Sequence, residues 1–158
     1  MSAQDEIRGR GPARIYANDA IEVQWEPKLC IHMQNCIRGL GEVFDPQARP
    51  WIRVDAADAE RIAETVLTCP TGALHFRRVD GGPQEEPPVD TIIEPRPNGP
   101  LFLRGRIRIV DDADATVRED TRVALCRCGA SSNKLFCDGS HLEIGFTTVD
   151  TDTALPAE

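Results

Sequence analysis

The chain has 158 residues, with 18 Lys/Arg against 26 Asp/Glu and a formal net charge of −8, which argues against nucleic acid or an anionic membrane as its main partner. No apolar run approaches the ~20 residues of a membrane span, and the opening MSAQDEIRGRGPAR has no signal-peptide core, so a soluble, cytoplasmic protein is expected. In that reducing compartment the six cysteines point to metal or redox chemistry rather than disulfides.

In chain order, IEVQW (21–25) alternates as a strand, with Ile21, Val23 and Trp25 on one face. Cys30 and Cys36 follow in a loop. The stretch 54–68 predicts the clearest helix, with Ala59, Ile62, Ala63, Val66 and Leu67 as an apolar stripe and Asp55 as N-cap. Pro70 ends that helix just after Cys69, and ALHF (73–76) reads as a returning strand. Tyr16, Trp25 and Trp51 need no role beyond packing, and His75 reads as a surface or core residue.

Residues 80–100 hold six prolines and three glycines, a composition that sustains neither a helix nor a central strand. The predicted organisation is therefore a first domain over 1–80, a linker over 81–97 and a second domain over 98–150. In the second domain, LFLRGRIRIV (101–110) alternates strongly, with Leu103, Ile107 and Ile109 opposite Arg104, Arg106 and Arg108. That basic stripe suits either an acidic redox partner or a solvated face neutralised by Asp111, Asp112 and Asp114, and the solvated face is preferred. A turn then leads through TRVAL (121–125) straight into Cys126. The fold class is α+β, with short strands and one good helix.

The second cysteine group reads Cys126-x-Cys128-x8-Cys137-x3-His141, a four-donor set within one loop. Gly129 and Gly139 let the backbone wrap closely, and Asp138 is placed to cap a short helix. This segment resembles the CDGSH (mitoNEET-like) iron–sulfur family over about residues 98–147. The likeness includes the literal Cys137-Asp138-Gly139-Ser140-His141 and the upstream Cys126-x-Cys128-x2-Ser131. One departure is Leu135, where the family usually has proline. The resemblance implies a small β-rich, zinc-finger-like domain holding a 2Fe-2S cluster, with Cys126 and Cys128 on one iron and Cys137 and His141 on the other. A zinc ion on the same four ligands is the alternative. The resemblance also implies a labile, transferable cluster and a homodimer.

The first group is Cys30-x5-Cys36, followed by Cys69-Pro70. Bacterial ferredoxins bind through Cys-x2-Cys-x2-Cys and a distant Cys-Pro, and here Met33 stands where the middle cysteine would be. Residues 14–78 resemble the divergent mono-cluster ferredoxin-like domains of bacteria, including a histidine two residues after the first cysteine, His32. Three thiolates suit a 3Fe-4S cluster, with 4Fe-4S as the alternative if His32 supplies a fourth ligand. Met33 suits a hydrophobic lid over the cluster.

These readings together predict a two-cluster electron carrier whose redox partner the sequence does not identify. The rivals are a cluster-transfer or redox-sensing protein using His141, and a wiring subunit of a larger oxidoreductase. No nucleophile–base pair or nucleotide loop is visible, so an enzyme is not expected.

Overall fold

The computed structural model describes residues 13–148 and comprises two three-stranded antiparallel sheets with short helices. In the first, β1 (Arg14–Ala17), β2 (Ile21–Trp25) and β3 (Leu74–Arg78) lie in that order. The β2–β3 crossover carries a short helix α1 (Asn35–Gly39) and the main helix α2 (Ala59–Leu67). Ile62 and Val66 of α2 pack with Ile21, Val23, Phe44, Ile52 and Leu74 in one apolar core, as the stripe requires. The helix starts later than expected. Asp58, not Asp55, accepts the Arg61 amide as N-cap, whereas Asp55 is occupied by the Asn18 side chain. Leu67 remains 44 % exposed at the helix end.

The second sheet has the order β4 (Ile92–Pro95), β5 (Leu101–Val110), β6 (Thr116–Leu125). Part of the stretch read as a linker is thus an edge strand. Pro95 is tolerated there because an edge position need not donate to a second neighbour. A register shift interrupts the β5–β6 ladder between Arg104 and Ile107. Gly105 sits within it at φ +151°, and a Cβ there would meet Thr91 Oγ1 at 2.9 Å. A short helix α3 (Ser140–Glu143) closes the module. Among the described residues, no helix is long and apolar enough to cross a membrane.

The modules pack directly on each other. Leu103 and Val123, paired across β5 and β6, share a cluster with Leu29, Ala73 and Phe136, against which Cys30 and Cys69 pack. The next pair, Phe102 and Ala124, points to the opposite face and packs with Cys137, Ile31 and Met33.

A charged layer completes the contact. Arg118 spans to Glu26 at 3.3 Å and also pairs with Asp120. His75 lies between Glu85 and Asp120, 3.0 Å from each. The Arg122 guanidinium donates to Glu85 and to the carbonyls of Val66, Cys69 and Leu74. Glu85 belongs to the Pro/Gly-rich stretch, yet its side chain is only 8 % exposed. That stretch is anchored where composition alone suggests a free tether.

Candidate metal centres

The second cysteine group forms one pocket, lined by Cys126, Cys128, Cys137 and His141 together with Gly99. Strand β6 ends at Leu125 and delivers Cys126, whose amide donates to the Leu135 carbonyl, while Cys137 donates to Ala124. These two bonds fold residues 126–137 back on the strand end and fix where the loop closes. Buried Ser131 braces the interior by donating to the Phe136 carbonyl and accepting the Asn133 amide. Asp138 accepts the amides of Ser132 and Ser140 at 2.8 and 3.0 Å, tying the loop to the start of α3. The Ser140 hydroxyl first, then these amides, lower the Asp138 pKa against the opposing effect of burial.

The donors stand as two pairs. Cys126 and Cys128 Sγ are 3.8 Å apart, and Cys137 Sγ is 3.5 Å from His141 Nδ1. Two thiolates ~2.3 Å from one tetrahedral metal stand about 3.8 Å apart, and a thiolate and an imidazole nitrogen at ~2.0 Å about 3.5 Å. Each pair therefore has the spacing of two ligands on a single metal. Among the described residues, no three His, Cys, Asp or Glu side chains close around one ion position.

Main-chain amides supply positive potential here. The Ala130 amide donates to Cys128 Sγ at 3.4 Å. Burial opposes ionisation of Cys126, but amides of Ser131 and Gly129, the Cys128 thiol and the Lys134 charge outweigh it and lower its pKa. Cys137 shifts upward, through burial first and then the nearby Asp138, Cys126 and Cys128 charges. His141 borders the turn before β5, where a Cβ on Gly99 would lie 3.7 Å from its Nε2. Arg127 holds that turn by donating to the Gly99 and Arg96 carbonyls.

The first group also converges. Cys30, Cys36 and Cys69 line one cavity with His32, Met33, Trp25 and Trp51. His32 adopts φ +58° and places Nδ1 3.8 Å from Cys30 Sγ, so it stands beside the thiols. Burial raises Cys30, and burial with the Cys69 charge raises Cys36 to about 11. Metal binding here must displace those protons. The two indoles meet edge-on, with centroids 4.8 Å apart, and Trp25 hydrogen-bonds Cys30. Trp51 Nε1 is buried with no hydrogen-bond partner. A sulfur-rich anionic group in this cavity would give that orphaned donor an acceptor, so the residues present fit an iron–sulfur cluster.

Sequence reasoning left part of the surroundings of these sites unread. The two tryptophans pack against the first core as expected and also line the first cysteine cavity, while Arg122, which donates to the Cys69 carbonyl, carried no motif.

Two cysteine-lined pockets on one compact chain define an iron–sulfur-binding protein. Residues 16–79 match the family model for a divergent 4Fe-4S mono-cluster, and residues 98–142 match that for an iron-binding zinc finger of CDGSH type. The chain is 37% identical over 67 residues to the uncharacterized protein YjdI of Escherichia coli strain K12, covering 42% of this chain and 88% of that protein. YjdI of Escherichia coli O157:H7 matches with the same figures. The chain belongs to the family of YjdI, and it joins a divergent mono-cluster domain to a CDGSH domain.

Proposed function

We propose that this chain is a cytoplasmic one-electron carrier with two clusters and no catalytic role of its own. In this reading Cys126, Cys128, Cys137 and His141 hold a 2Fe-2S cluster, supported by the two ligand pairs at 3.8 and 3.5 Å. Cys30, Cys36 and Cys69 hold the second. His32, beside Cys30, and the description of the matching family model favour 4Fe-4S over 3Fe-4S there. Clusters of these kinds supply reversible one-electron chemistry, at potentials set by net charge, hydrogen bonds to sulfur and exposure.

One observation carries the electron-transfer reading. Ile31 and Met33 of the first cysteine loop pack in the same apolar layer as Cys137 of the second. The buried ion pairs beside that layer hold the two loops in a fixed relation, as an internal relay needs and a delivery protein does not. The experiment is repeated reduction by dithionite and reoxidation of anaerobically purified protein, followed by visible absorption. Full recovery over several cycles, with no iron passed to an apo-ferredoxin, is the expected result. Rapid transfer to the apo-ferredoxin, abolished by His141→Cys, would replace electron carriage with cluster delivery.

For assembly we infer a homodimer through the edge strand β4, whose Ile92 and Ile93 are 40 % and 59 % exposed. Sizing chromatography at the 17.4 kDa monomer mass would refute the dimer.

A further inference from the structure

A groove of about 320 Å³ runs between the two modules, bordered by Met33, Thr68, Pro70 and Phe102. Its position is specific. Met33 lies in the loop between Cys30 and Cys36, Thr68 and Pro70 flank Cys69, and Phe102 packs on Cys137. It is the surface common to both cysteine groups.

Its walls carry Arg38, Arg96 and Arg104. The chain as a whole has 26 acidic against 18 basic side chains, and four of its exposed arginines are neutralised. Arg53, Arg61, Arg77 and Arg108 each have a carboxylate within 4.0 Å. Among the described residues, Arg38 and Arg104 in the groove have none, and neither do Arg14, Arg49 and Arg106 outside it. Arg38 donates only to the Met33 carbonyl and the Asn35 side chain. Arg96 lies 5.3 Å over the Phe102 ring and pairs with exposed Glu94. Arg122 also lines the groove, and its Nε is buried without an acceptor. Positive charge left unpaired on an acidic chain, with apolar Met33, Phe102 and Leu67 between, suits a partner that brings carboxylates.

We propose that this groove is the docking site for an acidic one-electron redox protein, whose carboxylates pair with Arg38 and Arg104. The proposal rests on the electron-carrier reading above and names where its partner sits. It divides the arginine stripe of β5. Arg108 pairs with Asp114 in the solvated turn, whereas Arg104 faces the interloop groove.

The test uses the full holoprotein and an acidic flavodoxin as probe, with affinity measured by titration calorimetry between low and moderate salt. Wild type binds, weakens as salt rises, and loses roughly tenfold or more in affinity with Arg104→Glu and further with Arg38→Glu/Arg104→Glu. The control Arg53→Glu/Arg108→Glu changes net charge equally but lies elsewhere, and retains binding within about twofold. Unaltered visible spectra show that the variants keep their clusters. Equal loss in both double variants would make the effect one of net charge and overturn the docking site, as would salt-independent binding or none by wild type. Dithionite reduction is read separately. Irreducible protein would sink the electron-carrier reading, while normal reduction with arginine-independent binding sinks only the groove.

Discussion

The guanidinium of Arg122, on β6 of the second module, donates to the main-chain carbonyl of Cys69 in the first. It also reaches the Val66 carbonyl at 2.9 Å and the Leu74 carbonyl at 2.7 Å. One side chain thus caps the C-terminal turn of α2, positions the third cysteine of the first pocket and opens the following strand. Replacing it with methionine keeps much of the apolar stem but removes a buried donor from each of those carbonyls and the guanidinium partner of Glu85. Arg122→Met is expected to lower stability by about 3 kcal/mol in urea unfolding and to perturb the EPR signal of the first cluster while sparing that of the second. A change confined to the second cluster would contradict this placement.

The His75 clamp sets a pH dependence. Burial disfavours the charged ring, but hydrogen bonds to Asp120 and Glu85 outweigh it and raise its pKa from 6.5 to about 9. Its contribution to stability is therefore complete below pH 6.5 and lost as pH rises through 9. For Glu85 burial again opposes ionisation, but His75 and Arg122 win and lower its pKa from 4.5 to about 2. Its contribution is present above pH 4.5 and lost as pH falls through 2. Urea midpoints should be highest between pH 4.5 and 6.5 and decline towards 9. His75→Gln should remove the alkaline decline; an unchanged decline would place its cause elsewhere.

Gly72 marks a close approach of the two modules. It has φ +73°, and a Cβ there would lie 2.3 Å from the Arg122 carbonyl oxygen. Both backbone conformation and space therefore require glycine. Gly72→Ala should destabilise by about 2 kcal/mol or more, whereas Gly81→Ala, with nothing within 4 Å of its Cβ, loses only the cost of its own positive φ. Equal thermal shifts for the two would deny the close approach.

Trp51 offers a test of the first pocket. A cluster in that pocket would offer the buried, unpartnered Trp51 Nε1 a sulfur acceptor, and such donors raise reduction potential by stabilising the added negative charge. Trp51→Phe keeps the ring and removes the donor, so the first cluster's potential should fall while the second stays fixed. Equal shifts in both, or none, would remove Trp51 from the site.

How much of this was legible depends on how far apart the pieces lie in the chain. Cys126, Cys128, Cys137 and His141 sit within 16 residues, so the local pattern alone delivers a four-donor pocket. Cys30, Cys36 and Cys69 are spread over 40 residues, and only the Cys-Pro step and the intervening helix link them. The interface left no such trace. Glu26 and Arg118 are 92 residues apart, and each alone looks like an ordinary charge on a strand. Glu85 was hidden by its proline-rich neighbours, whose composition reports that the backbone is extended but not that one side chain is buried. Asp55 and Asp58 compete as caps three residues apart, and the choice turns on Asn18, which reaches Asp55 from another strand's turn.

The central claim is that one short chain carries two clusters, and iron and acid-labile sulfide counted per chain test it most directly. Anaerobically purified protein should contain about six sulfide, with about six iron for a 4Fe-4S first cluster or about five for 3Fe-4S. About two iron and two sulfide would leave the first pocket without a cluster, and zinc in place of iron would contradict the account in both.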